Sequence, residues 1–112
     1  MSRTILSPQL LLEYYCSNIP SLQLDKKLDT VRDSLDYLGK DSPDLLFPDI
    51  ELNDGLSWNI LDNSSPKTKV IVTTRNPEYV ALAKSKYGIS QALLKPIALS
   101  EFLKVINEVV SN

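Results

Sequence analysis

The chain has no histidine and a single cysteine, Cys16, among its 112 residues. Ser-His and Cys-His catalysis and His-ligated zinc are thereby excluded, as are an internal disulfide and a thiolate metal cluster. Glycine is nearly as scarce, at three residues, which leaves little from which to build a Gly-rich loop around a phosphate. No window approaches the roughly 20 apolar residues of a membrane-spanning helix. Met1 to Leu6 is too short, and too soon interrupted by Pro8, for a secretory leader. An excess of positive charge is also missing: 12 Lys and Arg stand against 14 Asp and Glu, a net charge of −2, with no electrostatic case for nucleic acid. What remains is an ordinary composition, 43% hydrophobic and 23% charged. The expectation is one domain over residues 1–112, with a single core and a cytoplasmic location.

Apolar runs alternate with helical patterns along the whole chain. Arg3 to Leu6 is at most a very short strand, and Ser7-Pro8 is a helix start, Ser as N-cap and Pro at the first helical position. That helix is predicted to end before Ile19-Pro20, burying Leu10, Leu11 and Tyr14, with Tyr15 a further candidate. Ser21 to Asp25 alternates as a half-exposed edge strand does, and Lys26 and Lys27 guard it against edge-to-edge pairing. Leu28, Val31, Leu35 and Leu38 mark one face of a second helix, closed by Gly39. Leu45 to Ile50 is continuously apolar up to Asp49, as expected of a strand covered on both faces, although Pro48 removes a ladder donor. Asn53-Asp54-Gly55 is a tight turn before a short helix over Leu56 to Leu61. Lys69 to Thr73 is a β-branched buried strand. Asn76 and Pro77 start a helix that runs to Tyr87, with Gly88 as left-handed cap. Ile89 to Leu94 is the last strand, Lys95-Pro96 a turn suited to a cis bond, and Leu99 to Val110 the last helix, burying Phe102, Leu103, Ile106 and Val109 or Val110.

Five strand-helix alternations with short right-handed crossovers give an open parallel sheet between helical layers. Ligands and chemistry collect at the carboxyl ends of such strands, and Asp49, Thr74 and Lys95 all lie at such ends.

At this point the residues resemble the receiver domain of bacterial response regulators, the CheY-like fold, and within it the receivers that precede LytTR DNA-binding domains. Three segments carry the resemblance: Ser42 to Leu52, Val70 to Thr74 with Glu78-Tyr79, and Leu93 to Ile97 with Glu101-Phe102-Leu103. Leu11 to Pro20 is similar to the first helix of that subfamily. The resemblance implies a flavodoxin-like (βα)5 three-layer sandwich with strand order 2-1-3-4-5, its first strand here short or missing. It puts Asp49 on the phosphoacceptor, Thr74 on the switch hydroxyl and Lys95 on the lysine that pairs with the phosphoryl group. The types suit those roles: a carboxylate attacks a phosphoryl donor, a hydroxyl donates to the new oxygens, and an ammonium neutralises them.

The departures point away from that activity. Receivers hold Mg²⁺ with an acidic pair after the first strand, where this chain has Leu6-Ser7-Pro8-Gln9 and no carboxylate before Glu13. Mg²⁺ needs more anionic oxygen than Asp49 supplies, and phosphoryl transfer depends on that neutralisation. The loop after Asp49 is short and lacks the usual Pro. Arg75 replaces a small residue, and Ala92 stands where a rotating aromatic is expected.

The reading is therefore a degenerate receiver with no catalytic residues, no metal ligands and no cofactor. It acts as a protein-interaction module through the face formed by Pro77 to Val110, with a protein partner or a second copy. Asp49 is then a strand-end carboxylate held by Lys95 or Arg75. Arg75 is either an anion contact that replaces the metal or a surface residue at a helix start. Glu51 and Asp54 are read as a solvated turn rather than a cation site with Asp49. Trp58, Tyr79 and Tyr87 are read as partial core rather than a partner surface. The alternative is a functional receiver, phosphorylated on Asp49 by a histidine kinase with Mg²⁺. A flavodoxin-like binder of small molecules is a third reading, weakened by the missing phosphate loop.

Overall fold

A computed structural model of the chain describes residues 2–6, 10–89 and 91–110. The predicted helix start at Ser7-Pro8, and the side chains of Leu10, Leu11 and Val110, lie outside what is described. Elements in chain order are β1 (Ser2–Leu6), α1 (Leu10–Ser17), β2 (Leu22–Lys27), α2 (Val31–Leu38), β3 (Leu45–Phe47), β4 (Glu51–Leu52), β5 (Gly55–Leu56), α3 (Trp58–Asn63), β6 (Lys69–Thr74), α4 (Pro77–Tyr87), β7 (Gln91–Leu94) and α5 (Leu99–Val110). Five strands form one parallel sheet in the order β2-β1-β3-β6-β7. With the separate β4–β5 hairpin set aside, this is the 2-1-3-4-5 order expected.

The first strand is present and of ordinary length. β1 has five residues, pairs with β2 from Ser2 to Leu6 and with β3 from Thr4 to Leu6. It is interior, so no sheet edge is uncovered beside β3; the edges are β2 and β7. Pro48 is accommodated for a different reason than a failing first strand. The last β1–β3 pair is Leu6 with Phe47, one residue before it. On the other side, the ladder to β6 stops after Leu46–Val70 and resumes in the same register as an isolated bridge between Asp49 and Thr73. The interrupted rung is the one that would need an N–H at position 48, and proline has none. The continuous strand predicted to Ile50 is therefore three residues long, although Ile50 itself is fully buried.

Strand parity sorts the core into two layers. Leu45, Phe47, Ile71 and Leu93 face α1 and α5, packing with Tyr15, Cys16, Phe102, Val105 and Ile106. Phe102 stacks on Phe47 at 5.9 Å and meets Tyr15 at 5.2 Å. On the opposite face, Leu46 and Ile5 pack with Ile60 and the apolar stripe of α2, and Val72 packs with Ile50, Leu61 and Ala83. Trp58 stacks on Tyr87 at 5.0 Å and meets Tyr79 edge-on, so these three aromatics are part of this second layer.

Two helix faces are rotated from the prediction. Tyr14 is 65% exposed and its neighbours Tyr15 and Cys16 are buried. Leu103 is exposed too, and Val105 takes an inward position. The burial of Cys16 pushes its thiol up to about 12, the behaviour of a small apolar residue and not of a nucleophile. α2 begins at Val31, three residues later than predicted, with Thr30 capping it by accepting from the Asp33 amide. Asn76 caps α4 through the Glu78 amide, and Gly88 ends it at φ 66°, a conformation that costs other residues strain. No helix among the described residues is long and apolar enough to cross a membrane.

Candidate functional site

The carboxyl ends of β3, β6 and β7 meet at a cleft of about 160 Å³, lined among the described residues by Asp49, Glu51, Arg75 and Lys95. Backbone bonds place these groups. The Asp49–Thr73 bridge fixes Asp49 beside β6, with the Ile50 amide donating to the Thr73 carbonyl at 2.9 Å. From the other side, the Ser57 hydroxyl donates to the Asp49 carbonyl at 2.6 Å. The Lys95 amide donates to the Thr74 carbonyl at 2.8 Å, which brings the end of β7 against β6, just before a cis Lys95–Pro96 bond. One residue beyond that proline, the Ile97 carbonyl accepts from the buried Tyr15 hydroxyl at 3.1 Å. The lysine loop is thus tied to the core from both ends.

Three of the four predicted site residues, Asp49, Arg75 and Lys95, line the cleft together with Glu51, whose carboxyl group is hydrogen-bonded to that of Asp49. Lys95 Nζ binds Asp49 Oδ2, with both side chains mostly buried. Asp49 Oδ1 accepts the Glu51 amide at 3.1 Å, an Asx turn two residues on. Burial is the strongest influence on Asp49 and raises its carboxyl above the usual range, against the pull of the Lys95 ammonium.

Thr74 is bonded to Glu51. Its hydroxyl lies 2.8 and 2.9 Å from the two carboxylate oxygens of Glu51, and the Arg75 amide donates to the same carboxylate at 3.2 Å. Because Thr74 Oγ1 also accepts the Asn76 amide at 3.1 Å, its single proton is directed at Glu51. Burial opposes ionisation of Glu51, but the Thr74 hydroxyl and the Arg75 amide outweigh it and hold the carboxyl below its usual range. Arg75 contacts Glu51 through its backbone, while its exposed side chain lines the cleft.

Glu51, expected in a solvated turn, instead lines the cleft and binds Thr74. The turn is a β-hairpin, in which Glu51 pairs with Leu56 and Leu52 with Gly55. Gly55 adopts φ 137°, strained for any side chain. The hairpin carries Glu51 back toward β6. One signal was available: Asp49 and Glu51 are two apart, and extended chain puts such neighbours on one side. Asp54 goes elsewhere. Its carboxylate accepts the Val31 amide at 2.6 Å and the Arg32 amide at 3.2 Å, capping α2, and the Val31 bond foremost lowers its carboxyl below the usual range.

Among the described residues the cleft offers two carboxylates, fewer anionic ligands than a Mg²⁺ site built from an acidic pair and a third carboxylate. Both Asp49 oxygens are engaged by Lys95 and the Glu51 amide, and the Glu51 carboxylate is taken by Thr74 and Arg75. The described residues contain no group of three or more metal-ligating side chains. Glu13, the first carboxylate of the chain, pairs with Lys27 at 2.9 Å. The positions at which the resemblance implies an acidic pair, 7–9, lie outside the described residues; the sequence holds Ser, Pro and Gln there.

No protein-family model matches the chain, and no curated protein does. Solved structures do. The response regulatory domain of protein mrkE from Klebsiella pneumoniae superposes with a TM-score of 0.83 at 18% identity, covering 97% of this chain and 95% of that one. A LuxR-family DNA-binding response regulator from Staphylococcus aureus gives 0.77 at 20% identity, covering 97% and 98%. The receiver domain of the PhyR response regulator from Erythrobacter litoralis gives 0.76 at 19%, covering 98% and 90%. The fold of this chain is that of response regulator receiver domains.

Proposed function

From a receiver fold whose strand-end carboxylate is already paired, we propose that the chain is a degenerate receiver in two-component-type signalling. It acts as a protein-interaction module and not as an enzyme, with little or no Mg²⁺-dependent phosphorylation of Asp49. One observation carries the proposal: Lys95 is bound to Asp49, while Thr74, the hydroxyl at the switch position, is bound to Glu51. A phosphoryl group on Asp49 would have to break the first contact and compete for the second.

The partner surface is the Pro77 to Val110 face. Leu94, Leu99 and Leu103 are 40%, 49% and 44% exposed there, and Leu99 and Leu103 are neighbours four apart on α5. A second copy or another protein of this cytoplasmic pathway covers them. The net charge of −2 gives nucleic acid no foothold.

Intact mass after incubation with acetyl phosphate and Mg²⁺ tests the reading, with no gain of a phosphoryl group expected. An adduct that disappears in Asp49→Asn would establish the alternative, a working receiver served by a histidine kinase.

A further inference from the structure

The cleft is built from two carboxylates and two cations, Asp49, Glu51, Lys95 and Arg75. Lys95 answers Asp49. Subtracting Glu51 from the set leaves one positive charge in excess beside two fixed donors, the Thr74 hydroxyl and the Arg75 amide, that point at the space its carboxylate occupies. Those donors are positioned independently of Glu51. Thr74 ends a buried strand paired to β7, and the Asn76 amide fixes the acceptor side of its hydroxyl. A hydroxyl and an amide converging on one carboxylate, with cationic side chains on the cleft wall, are the elements of an oxyanion site.

We infer that Glu51 is the tethered ligand of an oxyanion-binding site made by Thr74, Arg75 and Lys95, and that it keeps the site filled against free anions of the phosphate type. The tether favours Glu51 strongly. Its carboxylate is carried by the β4–β5 hairpin to within 3.2 Å of each donor, so it competes as an intramolecular ligand, whereas phosphate must be recruited from solution. The consequence is a switch hydroxyl held by an anion at all times, without chemistry at Asp49. That consequence rests on the reading of the chain as a degenerate receiver; the occupancy of the site does not.

The test is an amide-resolved NMR titration of the full chain with inorganic phosphate, sodium chloride holding the ionic strength constant. In the wild type the Arg75 and Asn76 amides are expected to show no saturable shift. Glu51→Ala is expected to show one, with an apparent affinity at least about tenfold above the wild-type bound. Adding Thr74→Val to it removes the response. Glu51→Gln keeps the size and loses the charge, and serves if the alanine variant does not fold; it is expected to bind phosphate more weakly than alanine but more tightly than wild type. Equal behaviour of wild type and the Glu51 variants, whether silent or saturating, overturns the inference. A phosphoryl adduct on Asp49 in the mass experiment would overturn the functional reading and leave this site standing, so the two failures are separable.

Discussion

The cleft at the strand ends and the Pro77 to Val110 face lie on one fold and are finished to different degrees. In the cleft, Asp49 pairs with Lys95 and Glu51 with Thr74, so both carboxylates are satisfied from within the chain. On the face, Leu94, Leu99 and Leu103 stand in solvent above a core sealed by Phe102, Val105 and Ile106. A new ligand in the cleft must first break internal bonds. A partner on the face gains apolar burial of about 25 cal/mol per Å² without breaking any bond described there. The described cleft carboxylates are bonded from within the chain, and the described apolar side chains of the face are exposed.

Three experiments sharpen that contrast. The largest effect is expected beneath the face. Phe102→Ala should cost about 3–5 kcal/mol by denaturant unfolding, since Phe102 is fully buried against Phe47 and Tyr15, while Leu103→Ala should stay within about 0.5 kcal/mol. A large loss at Leu103 would mean that the face is core and not a free surface.

Next comes the ion pair. Lys95→Ala strands a mostly buried carboxylate and should cost about 2 kcal/mol at neutral pH. Asp49 is then raised further than it already is. A group raised in the folded state stabilises below its unfolded value and loses that contribution as pH rises, so the gap to wild type should close in acid, below the ordinary carboxyl value of 3.8. A gap independent of pH would show that Lys95 acts by packing alone.

The smallest effect belongs to Glu51. Its carboxyl is lowered, so its contribution is present above the ordinary value of 4.5 and disappears as pH falls through the folded value. Glu51→Gln should therefore be less stable than wild type at neutral pH, by about 1 kcal/mol or less, and indistinguishable from it in acid. Equal stability at neutral pH would leave the Thr74 contact without energetic weight.

Much of this molecule is legible in the sequence because its signals are local. Pro77 after Asn76, Gly88 after Tyr87 and the β-branched run before Thr74 each act within a few residues, and each element stands where predicted. The faces of α1 and α5 were less legible, since Tyr14 or Tyr15, and Leu103 or Val105, satisfy an apolar stripe almost equally well, and only the packed layer of Phe47 and Phe102 chooses between them. The first strand was underestimated because five residues carry too little periodicity. Its pairing with β2 and β3 is a contact between distant segments, which no local pattern reports.

The sequence by itself determined the parallel α/β fold, the placement of Asp49, Thr74 and Lys95 at strand ends, and the scarcity of carboxylate before Glu13. Tertiary structure alone decided the partners. Lys95 reaches Asp49 across 46 positions of chain and Thr74 reaches Glu51 across 23. Such pairings depend on where a hairpin turns and on which oxygen a hydroxyl's single proton can reach, and these are matters of ångströms in three dimensions, not of residue type.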